Sequence, residues 1–182
     1  MDRTGNCQAL KDPKRQYQGT LNKAMGKYFE TLIDEACAYY EKSGIAVIEK
    51  TPEPLRPIKN LNNGKFIACF EKKAQPDYKG ALRSGRAVVF EAKFSASEKL
   101  PQSRVTTEQS ERITEYAKMG AACFVLIGFD RIGYYRIPWR VWVKMGEIFG
   151  RRHIKPTDLS KFEVPCNNGV LHFLEDIEWR ET

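Results

Sequence analysis

The segment Val88–Leu100, VVFEAKFSASEKL, constrains this chain more than any other. Val88, Val89, Phe90 and Ala92 have the character of a buried strand. Glu91 and Lys93 interrupt it, and side chains two apart on a strand point to the same face. The two charges are therefore neighbours where another Val would be expected. They form either an ion pair on a solvated strand face, worth little to stability, or a site. The run AVVFEAKF is apolar on both faces, which a fully solvated strand would not be.

The rest of the composition suits a single globular domain. The chain has 182 residues, 42% apolar and 29% charged, enough for a sizeable core and too apolar for a disordered chain. No apolar run approaches the ~18–20 residues of a membrane-spanning helix. The polar start MDRTGNCQALKDPKRQYQG lacks the apolar stretch of a signal peptide, so the cytoplasm is the expected compartment, with no membrane partner. The five cysteines are scattered singly without a CxxC pair, which argues for reduced thiols over a disulfide framework or a zinc site. The net charge of +7 points mildly to a polyanionic partner. Lys11, Lys14, Arg15, Lys23 and Lys27 crowd one end, and Lys144, Arg151, Arg152, His153 and Lys155 form a second group. Solvated faces are the plain alternative for both.

Along the chain, residues 1–19 are expected to form a polar, basic, flexible arm, and residues 20–182 a single domain. Leu21, Met25, Tyr28/Phe29, Leu32/Ile33, Ala36 and Tyr39/Tyr40 trace a helical stripe that stops at Ser43-Gly44. IAVIEK reads as a strand. Thr51–Lys65 carries three prolines and Asn-Asn-Gly, so it is predicted to be a protruding loop and not a central strand. FIACFEK reads as a second strand, QPDYKGALRSG as a turn, and RAVVFEAKF as a third strand. SASEKLPQSR is a loop, and a helix follows with Thr106 or Thr107 as N-cap and Gly120 as stop. AACFVLIGF and GYYRI are strands. PWRVWVKMGEIF is a helix, and FEVPCNNGVLHFL is a hairpin or a docked extension. This order predicts an α/β fold, one mixed sheet with helices packed on it.

Asp77 lies upstream of Glu91, in QPDYKG. Asp, a gap, then Glu-x-Lys on a strand fits metal-assisted phosphodiester hydrolysis. Two close carboxylates repel, and a hard divalent cation relieves the repulsion. The cation acidifies water, and the lysine beside the glutamate orients that water or stabilises charge on the phosphorus. The pattern alone is elastic, and Asp before Gly is also a common turn former. Glu30 sits at the edge of the first helix's apolar stripe, where an ordinary solvent-facing Glu would also sit. Gln109 falls at the third position of a capping box with Thr106, so a role in the site requires a side chain not committed to the cap.

The sequence resembles the RecU family of Holliday-junction resolvases. LNKAMGKYFETLIDEACAYYEKSGIAVIEKTPEPLRPIKN is similar to the family's first helix, strand and Pro-rich segment. FEKKAQPDYKG resembles its segment ending in Asp-Tyr-x-Gly, GRAVVFEAKFSASEKLP its catalytic strand, and EQSERITEYAKMGAACFVLIGF its Gln-bearing helix and next strand. The resemblance covers about residues 20–150. It implies a restriction-endonuclease-like fold, a central mixed β-sheet flanked by helices with a protruding stalk loop over residues 51–65. It implies magnesium, with manganese as its expected substitute, bound through Asp77, Glu91 and Gln109, and Lys93 as transition-state stabiliser. Glu30 matches the helix-one glutamate of this nuclease superfamily. Gln75 stands where the family usually carries a Thr, and its amide oxygen could replace that ligand. Arg56 and Lys59 are the basic residues of the stalk-like segment. With Lys14, Arg15, Lys23 and Lys27 they are the candidate DNA contacts. The implied partners are four-way junction DNA, a second copy of the chain in a homodimer, and candidate recombination proteins. Two other readings stay open: a nuclease of the same fold acting on another DNA substrate in phage repair or packaging, and a non-catalytic DNA-binding module.

Overall fold

A computed structural model describes residues 13–52, 55–61, 63–70 and 75–177. Helix α1 (Pro13–Lys42) is followed by strands β1 (Ala46–Lys50), β2 (Leu55–Asn60), β3 (Phe66–Phe70), β4 (Tyr78–Leu82), β5 (Ala87–Ser95) and β6 (Leu100–Pro101). A 3-10 turn (Gln102–Arg104) leads to α2 (Thr107–Lys118), β7 (Ala122–Phe129), β8 (Gly133–Pro138), α3 (Trp139–Val143) and α4 (Met145–Phe149). The chain ends in β9 (His153–Ile154), β10 (Glu163–Val164), β11 (Cys166–Asn167) and β12 (Val170–Leu171).

The centre is a six-stranded sheet in the order β1-β4-β5-β7-β8-β10. β5 and β7 run parallel, joined through α2, and the other neighbours are antiparallel. This is the mixed sheet flanked by helices that the element order predicts. Phe29, Ile33, Ala36, Cys37 and Tyr40 repeat at three- and four-residue spacing, so one face of α1 is apolar. That face packs on Phe90, Phe124 and Leu126. Val89, Val125, Ile127 and Ile137 point the other way, onto Ile113, Trp139, Trp142 and Met145 of the helices opposite. Alternation along β5 and β7 thus feeds two cores.

Four features depart from the sequence reading. First, α1 begins at Pro13, so residues 13–19 of the expected arm are helical; residues 1–12 lie outside the described residues. Proline suits the first turn of a helix, where its missing N–H needs no partner, and Lys, Arg and Gln propagate it. Second, the turn expected over QPDYKGALRSG contains β4, paired on both sides. Gly80 is there for close approach: a Cβ on it would lie 2.0 Å from the Val47 carbonyl oxygen. Third, FIACF does not join the central sheet. It is β3, paired among the described residues only with β2, in a two-stranded hairpin that turns through Asn63 (φ 52) and Gly64 (φ 73). The ladder slips between Pro57 and Lys59, because proline has no N–H to give. Fourth, the helix expected from Pro138 breaks at Lys144 (φ −94, ψ 19) into α3 and α4.

The C-terminal segment docks on the α1 side. β11 and β12 form a hairpin through Asn168 and Gly169, both at positive φ, as a two-residue loop requires. The buried Tyr40 hydroxyl accepts the Leu174 N–H at 3.0 Å and donates to the Leu171 carbonyl at 3.2 Å. Arg136 donates to the Phe173 and Glu175 carbonyls. Among the described residues no helix is long and apolar enough to cross a membrane.

Candidate active site

The sheet register places the site. Lys50, Tyr78, Phe90 and Phe124 are successive cross-strand partners on β1, β4, β5 and β7. Directly opposed residues share a face. Tyr78 stacks on Phe90 and Phe90 on Phe124, with centroids 4.8 and 4.7 Å apart. The Tyr78 hydroxyl donates to Asp34 of α1 at 2.8 Å, so this row faces α1. One residue further along, the row becomes Thr51, Asp77 and Glu91, on the opposite face. Thr51 N–H donates to the Asp77 carbonyl at 2.8 Å, but between Asp77 and Glu91 the backbone ladder gives way to side chains. Asp77 N–H donates to Glu91 Oε2 at 3.2 Å, and Ala92 N–H donates to Asp77 Oδ2 at 3.0 Å.

Lys93, two residues past Glu91, closes the cluster. Its Nζ lies 2.5 Å from Glu91 Oε1 and 3.7 Å from Asp77 Oδ2. The Glu91 side chain is fully buried, whereas that of Asp77 is one-third exposed. Burial pushes the Glu91 carboxyl well above the usual carboxylate range, the Asp77 charge pushes it further, and Lys93 opposes both. The remaining contact comes from α2. Thr106 and Gln109 form the capping box that the sequence predicts: Thr106 Oγ1 accepts the Gln109 N–H, and Gln109 Oε1 accepts the Thr106 N–H at 3.0 Å. The same amide donates through Nε2 to Glu91 Oε1. Gln109 therefore serves the cap and the site at once, oxygen to the cap and nitrogen to Glu91.

The donor set suits a hard divalent cation. Two carboxylates converge from adjacent strands, and a third ion, the Lys93 ammonium, already sits against both. Among the described residues no group of three or more His, Cys, Asp or Glu side chains forms a metal cage. Thr51 Oγ1, beside Asp77 in the row, is buried without a hydrogen-bond partner among the described residues. A hydrated cation would offer it one.

The other expected site residues are distributed around this centre. Glu30 pairs with Lys50 at 2.7 Å and lines, with Lys93, a cleft of about 680 Å³ between α1 and the end of β5. Lys23 lines the same cleft, and Lys27 is exposed nearby on α1. Gln75 does not join the carboxylates. The backbone bends at Asp77, which breaks the two-residue alternation, and Gln75 Oε1 accepts from Lys79 Nζ at 2.6 Å. Arg56 and Lys59 are exposed on the β2–β3 hairpin. Lys14 and Arg15 fall in the first turn of α1, and their side chains lie outside the described residues. Sequence reasoning missed Lys50 and Thr51, whose relation to Glu30 and Asp77 depends on the β1–β4 register.

Comparison with known proteins finds relatives of this chain. A Holliday junction resolvase RecU of Streptococcus equi subsp. zooepidemicus is 31% identical over 164 residues, covering 85% of this chain and 80% of that one. The RecU resolvase of Streptococcus sanguinis is 31% identical over 125 residues, 65% of this chain and 62% of its own length. That of Streptococcus gordonii is 30% identical, with 68% of this chain matching 63% of its own. The chain thus spans less than two thirds of the length of these last two relatives. Among solved structures, Hjc, a Holliday junction resolvase of Archaeoglobus fulgidus, superposes with a TM-score of 0.38 at 15% identity, over 64% of this chain and 75% of that one. The model of the family Recombination protein U matches residues 24–178, and the chain belongs to that family.

Proposed function

We propose that this protein is a divalent-metal-dependent endodeoxyribonuclease that cuts four-way DNA junctions, acting in the cytoplasm as a homodimer in recombination and repair. The observation that carries the reading is the convergence of Asp77, Glu91 and Lys93 at the open end of the β4–β5 ladder. The relatives named as Holliday junction resolvases support the substrate class. A homodimer would offer two equivalent sites to the two equivalent strands of a junction.

Asp77 and Glu91 are the proposed ligands of magnesium or manganese. When bound, such an ion supplies Lewis-acid chemistry, neutralising phosphate charge and acidifying water. The chain's own groups do the positioning. Gln109 holds Glu91 from α2, and the Ala92 N–H fixes the Asp77 carboxylate. Lys93 keeps its ammonium at the mouth of the cleft, where it stabilises negative charge growing on the phosphorus. Gln109 would reach a metal through its oxygen only by releasing the Thr106 cap, so it is proposed as an orienting group for Glu91. Gln75, paired with Lys79, is proposed to shape the surface beside the site. Glu30 would act from the cleft wall, with Lys50 as its counter-ion.

The deciding experiment compares cleavage of a four-way junction and of linear duplex by the purified protein, with magnesium and with chelator. Metal-dependent cutting of the junction in preference to duplex is the expected result. Equal cutting of both would move the reading to another DNA substrate, and binding without cutting would move it to a non-catalytic module.

A further inference from the structure

The segment between β6 and α2 presents one guanidinium to the cleft that Lys93 opens into. Arg104 lines that cleft from one side, and Asn22, Lys23 and Glu30 line it from α1. Arg104 is exposed and has no ion-pair partner among the described residues, whereas Arg151 is held by Asp158 at 2.6 Å and Lys50 by Glu30 at 2.7 Å.

Its backbone, by contrast, is tied down on every side. Leu100 and Val105, flanking the turn, are buried. Leu100 and Pro101 pair with Ile154 and His153 of β9. Gln102 N–H donates to the Arg152 carbonyl at 3.0 Å, its side-chain amide donates to the Trp142 carbonyl at 2.7 Å, and its own carbonyl accepts the Val105 N–H at 3.2 Å. A rigid turn carrying a free, planar, always-charged fork is suited to a phosphate group, which a guanidinium grips with two parallel hydrogen bonds. The loop after β5 is tied down as well: the buried Ser95 hydroxyl donates to the Ser97 carbonyl and accepts the Ser97 N–H, and the Ser97 hydroxyl donates to the Lys99 carbonyl, and Ser95 and Ser97 line the same cleft.

We infer that Arg104 is a substrate-binding residue that grips a backbone phosphate of the DNA strand in the cleft, next to the phosphate facing Lys93, with Lys23 contacting the strand from α1. This rests on the nuclease reading and adds the residue that holds the strand in register with the carboxylates. It also gives the β6–β9 pair a purpose, since that pair is what fixes the turn.

The test is made on junction DNA in metal-free buffer, where nothing is cut, with wild type, Arg104→Ala and Arg104→Lys across a salt series. Arg104→Ala should bind about tenfold more weakly at low salt, and the slope of log affinity against log salt should fall by about one. Arg104→Lys should keep the slope, because the charge remains. A scan of single neutral methylphosphonates near the crossover then locates the contact: one position should weaken wild type by a similar factor and leave Arg104→Ala unaffected. Equal salt slopes, or equal methylphosphonate penalties in wild type and Arg104→Ala at every position, would overturn the inference. Wild-type junction cleavage in magnesium would then leave the nuclease reading standing. A wild type that neither binds nor cuts junction DNA overturns both.

Discussion

Asp77 and Glu91 each take a backbone N–H from the other's strand: Asp77 N–H reaches Glu91 Oε2 at 3.2 Å, and Ala92 N–H reaches Asp77 Oδ2 at 3.0 Å. The two carboxylates thus replace the next rung of the β4–β5 ladder. Strand pairing and site geometry are one structure, and the carboxylates are held together against their repulsion by the sheet itself.

Asp77→Ala should lower cleavage by roughly a thousandfold, as loss of a principal charge-stabilising group does, while junction affinity in metal-free buffer stays within about threefold of wild type. Phosphate contacts from basic residues supply most of that affinity. Glu91→Gln should behave alike and keeps the volume of the buried side chain. Single-turnover cleavage and gel-shift titration check this; undiminished cleavage by either variant contradicts the assignment of the carboxylates.

Lys93→Ala should lose cleavage by about a hundredfold or more without weakening divalent-metal binding. Its ammonium competes with a cation for the same two carboxylates, so removing it leaves the pair more anionic. Calorimetric titration with magnesium or calcium is the check. Metal affinity that collapses along with the rate, in a folded variant, would make Lys93 a structural support of the site.

Gln109 joins a helix cap to Glu91, and the two functions can be separated. Thr106→Ala removes the cap hydroxyl and should cost about 1 kcal/mol of stability, with cleavage changed only a few-fold. Gln109→Ala removes the cap oxygen and the Glu91 partner together, so stability and rate should both fall. Denaturant unfolding and single-turnover rates on the two variants measure this. A Thr106→Ala variant as inactive as Gln109→Ala would mean that the cap itself sets the site geometry.

Strand β5 with its charged pair and this capping box were legible because each is encoded locally, by a break in an apolar run and by a Thr-x-x-Gln spacing. The pairing of α1 with the sheet was legible from the stripe at Phe29, Ile33, Ala36 and Tyr40. What escaped the sequence depends on who sits across from whom. β3 is an unbroken apolar run like that of a core strand, and only its pairing with the proline-bearing β2 puts it in a hairpin. Glu30 looks like a free surface carboxylate until the β1 register brings Lys50 to it. The Asp77 segment looks like a turn because it holds a glycine, and a glycine needed for close packing has no sequence mark that sets it apart from one needed for a turn.

Gly80→Ala tests that last point. The added Cβ would meet the Val47 carbonyl oxygen at 2.0 Å and Ile48 Cα at 2.6 Å, both backbone atoms that cannot rotate away. β1 and β4 would have to separate, at a cost of about 3 kcal/mol or more. Asp77 lies three residues along the same strand direction, with its carbonyl bonded to Thr51, so cleavage should fall with stability. Thermal unfolding and cleavage below the melting range check it; a variant with wild-type stability would mean that the strands are not packed this closely.

The β2–β3 hairpin is expected to distinguish a junction from duplex DNA. Among the described residues it pairs with no strand of the central sheet, and Ile58, Phe66 and Leu55 are about half exposed or more on it, beside the exposed Arg56 and Lys59. A paired two-stranded finger is stiffer than a loop, and on a dimer two of them would fit the open centre of a four-way junction, a cavity that linear duplex lacks. Replacing residues 56–69 by a short Gly-Ser turn leaves all six strands of the central sheet intact. Junction affinity should drop about tenfold or more, while duplex affinity, driven by general basic charge and salt-sensitive, changes about threefold at most. Arg56→Ala with Lys59→Ala should give part of the effect without altering the hairpin backbone. Both DNAs are titrated at one salt concentration with a deletion variant shown to be folded and dimeric, and an unchanged junction-to-duplex ratio would assign junction recognition to the cleft and α1 instead.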